Sequence, residues 1–106
     1  MKTKNSSLEE LPVAFLERMA GVLKILAHPH RLKIVEVLQA EEEAPVQVVV
    51  ARLRLPQATV SQHLNQMRRA GLLHAVRRGK QVWYTIADSS SLTILDCIRR
   101  KREAGA

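Results

Sequence analysis

The chain has 106 residues, 46% hydrophobic and 25% charged, which suits one globular core and excludes a disordered or collagen-like chain. One cysteine excludes an internal disulfide or a thiolate metal cluster, and the polar start MKTKNSSLEEL, with no apolar run near the ~20 residues of a membrane span, leads us to expect a cytoplasmic protein. The net charge of +7 sits in residues 44–87, which hold Arg52, Arg54, Arg68, Arg69, Arg77, Arg78 and Lys80 and no acidic residue, and such asymmetry points to a polyanion, nucleic acid first.

Behind Pro12, Val13, Leu16, Met19, Ala20, Leu23 and Leu26 recur at helical spacing and predict a helix over 12–27. His28-Pro29 interrupts it, because a residue before proline is pushed out of the α region. Leu32, Val35 and Leu38 restart the period and predict a second helix over 30–39. Glu41, Glu42, Glu43 and Pro45 read as a solvated loop. Val46, Val49, Val50 and Leu53 then give the i, i+3, i+4, i+7 pattern of a third helix, although the run VQVVV would suit a strand on propensity alone. Pro56 marks a turn and a new start, and Val60, Leu64, Met67 and Gly71 share one face of the segment from Gln57 to Ala70.

Two helices joined by about three residues make a helix-turn-helix, whose second helix enters the major groove while the first braces it. The outward face of that second helix carries Ala58, Thr59, Gln62, Asn65, Gln66 and Arg69, flanked by Gln57 and Ser61. Amides, hydroxyls and a methyl can meet base edges, whereas a merely solvated face more often carries Glu and Lys. Arg68 and Arg69 are candidate phosphate contacts. In LLHAVRRGKQVWYTI, two β-prone runs flank Gly79-Lys80, the signature of a type II′ hairpin. Arg77, Arg78 and Lys80 cluster at its tip, suited to phosphate or minor-groove contact or, alternatively, to solubility. Val82, Tyr84 and Ile86 alternate toward the core, and Trp83 faces outward as a packing residue, since 3% aromatic content provides no stacking platform. An anionic membrane surface would attract the same charge, but a basic block with hairpin signals is not one long amphipathic helix, and no membrane partner is expected.

In order and spacing, VLKILAHPHRLKIVEVL, LPQATVSQHLNQMRRAGLL and RRGKQVWYTI resemble the ArsR/SmtB family of bacterial winged-helix repressors over residues 20–87. The resemblance implies a mainly α fold with a β-hairpin wing, a homodimer paired through its terminal helices, and repression relieved by a metal, a thiol oxidant or another signal. It places Gln57, Ala58, Ser61 and Gln62 at DNA-reading positions. The family's sensing sites do not carry over. Its paired-cysteine positions fall on Pro45 and Gln47. Its zinc positions fall on Asp88, Ser90, Lys101 and Ala104, one ligand where three or four are needed. Its dithiol positions fall on Glu36 and, approximately, Cys97, which excludes an intramolecular switch.

His28 and His30 bracket Pro29, His63 lies in the reading helix and His74 starts the wing, with no i, i+4 pair among them. Structural or solvated roles are favoured and no metal site is expected, a site assembled across a dimer from His28 or His30 being left open. No glycine-rich phosphate loop or nucleophile elbow is present, so neither cofactor nor catalysis is expected. Cys97 stands as a candidate redox residue near Arg100 and Lys101 but beside Asp96, against an ordinary structural role. The reading is a single winged helix-turn-helix domain over 1–106, a homodimeric transcriptional repressor of an inverted-repeat operator in double-stranded DNA, with a small-molecule or redox inducer unidentified. Leu16, Met19 and Leu23 of the first helix and Leu92, Leu95 and Ile98 of the last are assigned to the dimer interface, because one small core cannot cover both helices. The alternative is a winged-helix protein-interaction module with an acidic partner and no DNA specificity.

Overall fold

Proline positions set the helix starts in the N-terminal half. Helix α1 (Val13–Leu26) begins directly behind Pro12, and ends before His28 takes an extended conformation (φ −155°, ψ 122°) ahead of Pro29. The computed structural model describes residues 9–105, so residues 1–8 and 106 of the domain expected over 1–106 lie outside the described residues. Helix α2 (Pro29–Glu41) has proline in its first turn and His28 as N-cap, whose Nδ1 accepts from the His30 backbone N–H at 3.2 Å. It outruns the expected 30–39 and stops where Glu42 turns to φ 70° and donates its N–H to the Leu38 carbonyl at 2.9 Å.

The expected loop before the third helix contains a short strand instead. Strand β1 (Ala44–Pro45) pairs with the wing, and its burial explains why: Ala44 is fully enclosed. Pro45 is tolerated there because β1 is an edge strand. Helix α3 (Val46–Leu53) follows, so periodicity prevails over the β-propensity of VQVVV. As a helix the segment buries Val49 and lays Val46, Val50 and Leu53 on the core, which a two-sided strand would divide between faces. Arg54 ends α3 in the left-handed region (φ 57°, ψ 43°), its N–H bonded to the Val50 carbonyl at 2.8 Å. Three residues later α4 (Gln57–Arg69) begins behind Pro56.

Helix α4 ends one residue earlier than expected, and Gly71 is not part of its buried face. Gly71 has φ 82° and reverses the chain, while the Leu72 N–H reaches the Met67 carbonyl at 3.0 Å, the six-to-one bond of a glycine-terminated helix. Strands β2 (Leu73–Arg78) and β3 (Gln81–Ile86) form an antiparallel hairpin, with β3 central in the order β1-β3-β2. Gly79 at φ 63° is the positive-φ residue of its loop, as a type II′ turn requires at its first central position. Helix α5 (Ser90–Glu103) closes the chain; Asp88 Oδ1 accepts from the Ser90 N–H at 2.9 Å.

Ile34, Val35 and Leu38 of α2 meet Val49, Val60, Leu64, Met67 and Leu72 in one enclosed cluster, with Tyr84 reaching in from β3. Leu95 of α5 also belongs to it. That corrects the expected interface role of Leu95, which is only 7% exposed, while the partly buried Leu92 packs against the edge of the same core. Leu95 closes the protomer's own core because α5 lies against α2, a contact no local periodicity reveals.

Candidate nucleic-acid interface

The turn Arg54–Pro56 holds α3 against α4, so α4 presents one side to the core and the other to solvent. Val60, His63, Leu64 and Met67 point inward and are buried. Gln57, Ala58, Gln62, Asn65, Arg68 and Arg69 are exposed, with Thr59 and Ser61 half-buried at the edges. Ala58, Ser61, Gln62, Asn65, Gln66 and Arg69 together line a shallow open groove along the helix. Such a surface offers side-chain amide donors and acceptors, a hydroxyl, a methyl and one cation. These are the groups that discriminate base edges and fix a phosphate.

Sequence reasoning missed what holds this helix from behind. Arg31, in the first turn of α2, donates through Nε to His63 Nδ1 at 3.1 Å, through Nη2 to Gln66 Oε1 at 2.5 Å, and through Nη1 to the Ile25 carbonyl at 3.3 Å. One guanidinium thus ties the end of α1 to the inner edge of the reading helix. Its partners lie 32 and 35 residues away in sequence, beyond any spacing rule. Burial holds the His63 imidazole below its ordinary pKa, and His28, Arg31 and His30 add to the same effect, in the direction that favours an accepting ring nitrogen.

The wing tip is less uniform than expected. In the β2–β3 register Arg77 lies opposite Val82 and Arg78 opposite Gln81, which sends the two arginines to opposite faces. Arg78 stacks over Trp83, 5.0 Å from the ring centroid, and pairs with both oxygens of Glu43, one at 3.2 Å. That hydrogen bond holds the Glu43 carboxyl below its ordinary pKa. Trp83 therefore packs, as expected, whereas Arg78 is drawn from the tip cluster. Arg52 is likewise paired with Glu41. The acidic loop read as solvated thus reaches into the acid-free block and neutralises two of its seven cations. Among the described residues Arg54, Arg68, Arg69, Arg77 and Lys80 have no carboxylate partner.

Away from this face, α1 and α5 expose a shared apolar surface. Leu16 (45%), Leu23 (50%) and Ile98 (44%) are solvent-accessible in the single chain, with Met19 half-buried beside them. Leu23, Leu26, Ala27, Leu32, Ile94 and Ile98 line a cleft where α1 and α5 meet the start of α2. Cys97 is exposed on α5, and Arg100, expected to favour its thiolate, instead donates through Nε to Asp96 Oδ2 at 3.1 Å. Two histidines have the structural roles expected of them, His28 as a helix cap and His63 as the acceptor of Arg31, but their grouping was not expected. His28, His30 and His63 converge at the α2–α4 contact, one nitrogen of each lying within 4.8 Å of the others.

A model described as a helix-turn-helix domain matches residues 26–76, from the end of α1 through α4 into the wing. The transcriptional repressor PagR of Bacillus anthracis is 45% identical over 71 residues, covering 67% of this chain and 71% of that protein. Its crystal structure has a TM-score of 0.75 at 38% identity over 82% of this chain and 99% of that one. The solution structure of the homodimeric winged helix-turn-helix DNA-binding domain of a possible ArsR-family regulator from Mycobacterium bovis has a TM-score of 0.73 at 25% identity, covering 99% and 93%. The chain belongs to the ArsR/SmtB family. This ArsR/SmtB member is a DNA-binding transcriptional regulator, its α3–α4 pair forming the helix-turn-helix and β2–β3 the wing. Among its described residues no helix is long and apolar enough to cross a membrane.

Proposed function

We propose that this family member represses transcription as a homodimer gripping the two half-sites of an inverted-repeat operator, with α4 in the major groove and the wing on the backbone. The observation that carries the proposal is the division of α4 into a buried side, apolar but for His63, and an exposed side of amides, hydroxyl, methyl and the Arg69 cation. An exposed face without Glu or Lys is poorly suited to solvation alone and well suited to base edges. The exposed apolar surface of α1 and α5 supports self-association, because scattered apolar side chains are normal but a contiguous cleft of them calls for a partner. Two-fold pairing through that surface would place two reading helices on one side of the dimer, which is why the operator is expected to be palindromic. The M. bovis domain is itself described as a homodimer.

Footprinting on DNA upstream of its own gene, with random DNA as competitor, tests the reading. A protected palindrome supports it; equal affinity for random DNA would point to the interaction-module alternative. Changing Gln57, Ser61 or Gln62 to Ala is expected to cost about 1–3 kcal/mol each on the operator and far less on random DNA, since these groups meet bases rather than phosphates. Operator preference that survived all three changes in folded protein would transfer sequence reading to another surface. The wing should behave oppositely. Arg77→Ala and Lys80→Ala are expected to weaken operator and random DNA alike, by more than Arg78→Ala does, because Arg78 is already paired with Glu43. Equal losses at all three positions in parallel binding titrations would mean that DNA pulls Arg78 from Glu43.

A further inference from the structure

We propose that His28, His30 and His63 form a site for a divalent transition metal of the zinc class, and that the ion acts on the reading helix by displacing Arg31. The site is distinct from the positions that family resemblance would assign, since Pro45 lies in β1 and Asp88 stands just before α5, where it accepts from the Ser90 N–H.

The three rings approach from two elements. His28 caps α2, His30 stands in its first turn and His63 comes from the buried side of α4. Ring centroids are 4.5 Å apart for His28 and His63, 5.4 Å for His28 and His30, and 6.2 Å for His30 and His63. One nitrogen of each lies within 4.8 Å of the others. Tetrahedral zinc, with bonds of about 2.0–2.1 Å, holds its donors about 3.4 Å apart, a contraction within the side-chain freedom of the half-buried His28 and the exposed His30. Two of the three histidines have other work: His28 caps a helix and His63 accepts from Arg31. His30 has no side-chain hydrogen bond among the described residues, yet its ring stands beside the other two. Imidazoles suit zinc, copper and nickel, and three of them leave a fourth position for water or a small anion on the exposed His30 side.

Binding here has a structural consequence. A neutral imidazole that accepts at Nδ1 carries its proton on Nε2. An ion on His63 Nε2 moves that proton to Nδ1, where it confronts the Arg31 Nε–H; an ion on Nδ1 takes the place of Arg31 directly. Either way the Arg31–His63 hydrogen bond is lost, and the guanidinium is repelled by the ion. Arg31 also holds Gln66 on the edge of the reading groove. Its release loosens α4 and is expected to weaken operator binding, a consequence that rests on the DNA-binding reading above.

Metal-free full-length protein titrated with zinc sulfate against a chromophoric chelator is expected to take up one ion per protomer. His30→Ala, at an exposed position outside the core, should lose more than the about 10–100-fold that follows removal of a ligand's own hydrogen-bond partner. His28→Gln, which keeps an amide able to cap α2, should lose comparably, and His74→Ala on the wing should bind as before. Uptake that is absent, or equal in His30→Ala and the unaltered protein, overturns the site. Zinc should then lower operator affinity by about 5–150-fold in the unaltered protein and not in His30→Ala, with operator DNA weakening zinc by the same factor. Operator affinity indifferent to bound zinc overturns the coupling through Arg31. Metal-free protein that selects no operator counts against the DNA-binding reading, while the zinc titration remains readable without DNA.

Discussion

Between about 50 and 200 mM salt, affinity for duplex DNA is expected to fall by about 10³- to 10⁵-fold for a dimer making roughly 6–10 phosphate contacts. The contact number follows from the charges that remain available. Of seven cations in residues 44–87, Arg52 and Arg78 are paired with Glu41 and Glu43, leaving Arg54, Arg68, Arg69, Arg77 and Lys80 in each protomer. Five per protomer gives a dimer enough basic groups for that range without drawing on the acidic surface. Each contact releases counterions from DNA, so the logarithm of affinity falls linearly with the logarithm of salt at a slope near −0.9 per contact. Binding titrations across that salt range give the slope directly. A nearly flat dependence would mean that the acid-free face does not meet the backbone. A slope steeper than roughly −9 would instead recruit Arg78 or Arg52, with their ion pairs broken on DNA.

Leu64→Ala is expected to destabilise the protein by about 2–5 kcal/mol, a large share of a small domain's total stability. Leu64 is fully buried at the middle of α4, enclosed with Val60, Met67 and core residues of α2 and α3. Truncation removes transfer free energy and leaves a cavity that rigid neighbouring helices fill only in part. By contrast Gln62→Ala, two residues away on the exposed side, should change stability by no more than about 0.5 kcal/mol while weakening operator binding. Urea unfolding at fixed protein concentration tests both, since the stability of a self-associating protein depends on concentration. A Leu64→Ala loss below about 1 kcal/mol would be incompatible with the packing described. The pair of variants separates the two sides of one helix: one side holds the fold, the other reads.

The helices, the hairpin and the exposed side of the reading helix were legible in the sequence, because each is written in local terms. Apolar residues three and four apart define a helix face, Pro12, Pro29 and Pro56 fix where helices start, and Gly79 supplies the positive φ of the wing turn. Even the strand-like VQVVV resolved in favour of its helical period. Charge location was local as well, and so were the exposed amides of α4. Tertiary structure decided the rest. Whether Leu95 faces a partner or its own core depends on how α5 lies against α2, not on the apolar stripe that both outcomes share. Pairing of Ala44–Pro45 with β3, of Glu43 with Arg78 and of Arg31 with His63 joins residues from 32 to 40 positions apart in chains of contact that no periodicity encodes. The histidines make the point most plainly. Their spacing argued against a common site, since ligands on one helix must recur every three or four residues, yet packing α4 against the start of α2 brings His63 to His28 and His30. Spacing rules govern groups carried on one element; groups carried on two meet only where the core makes those elements touch.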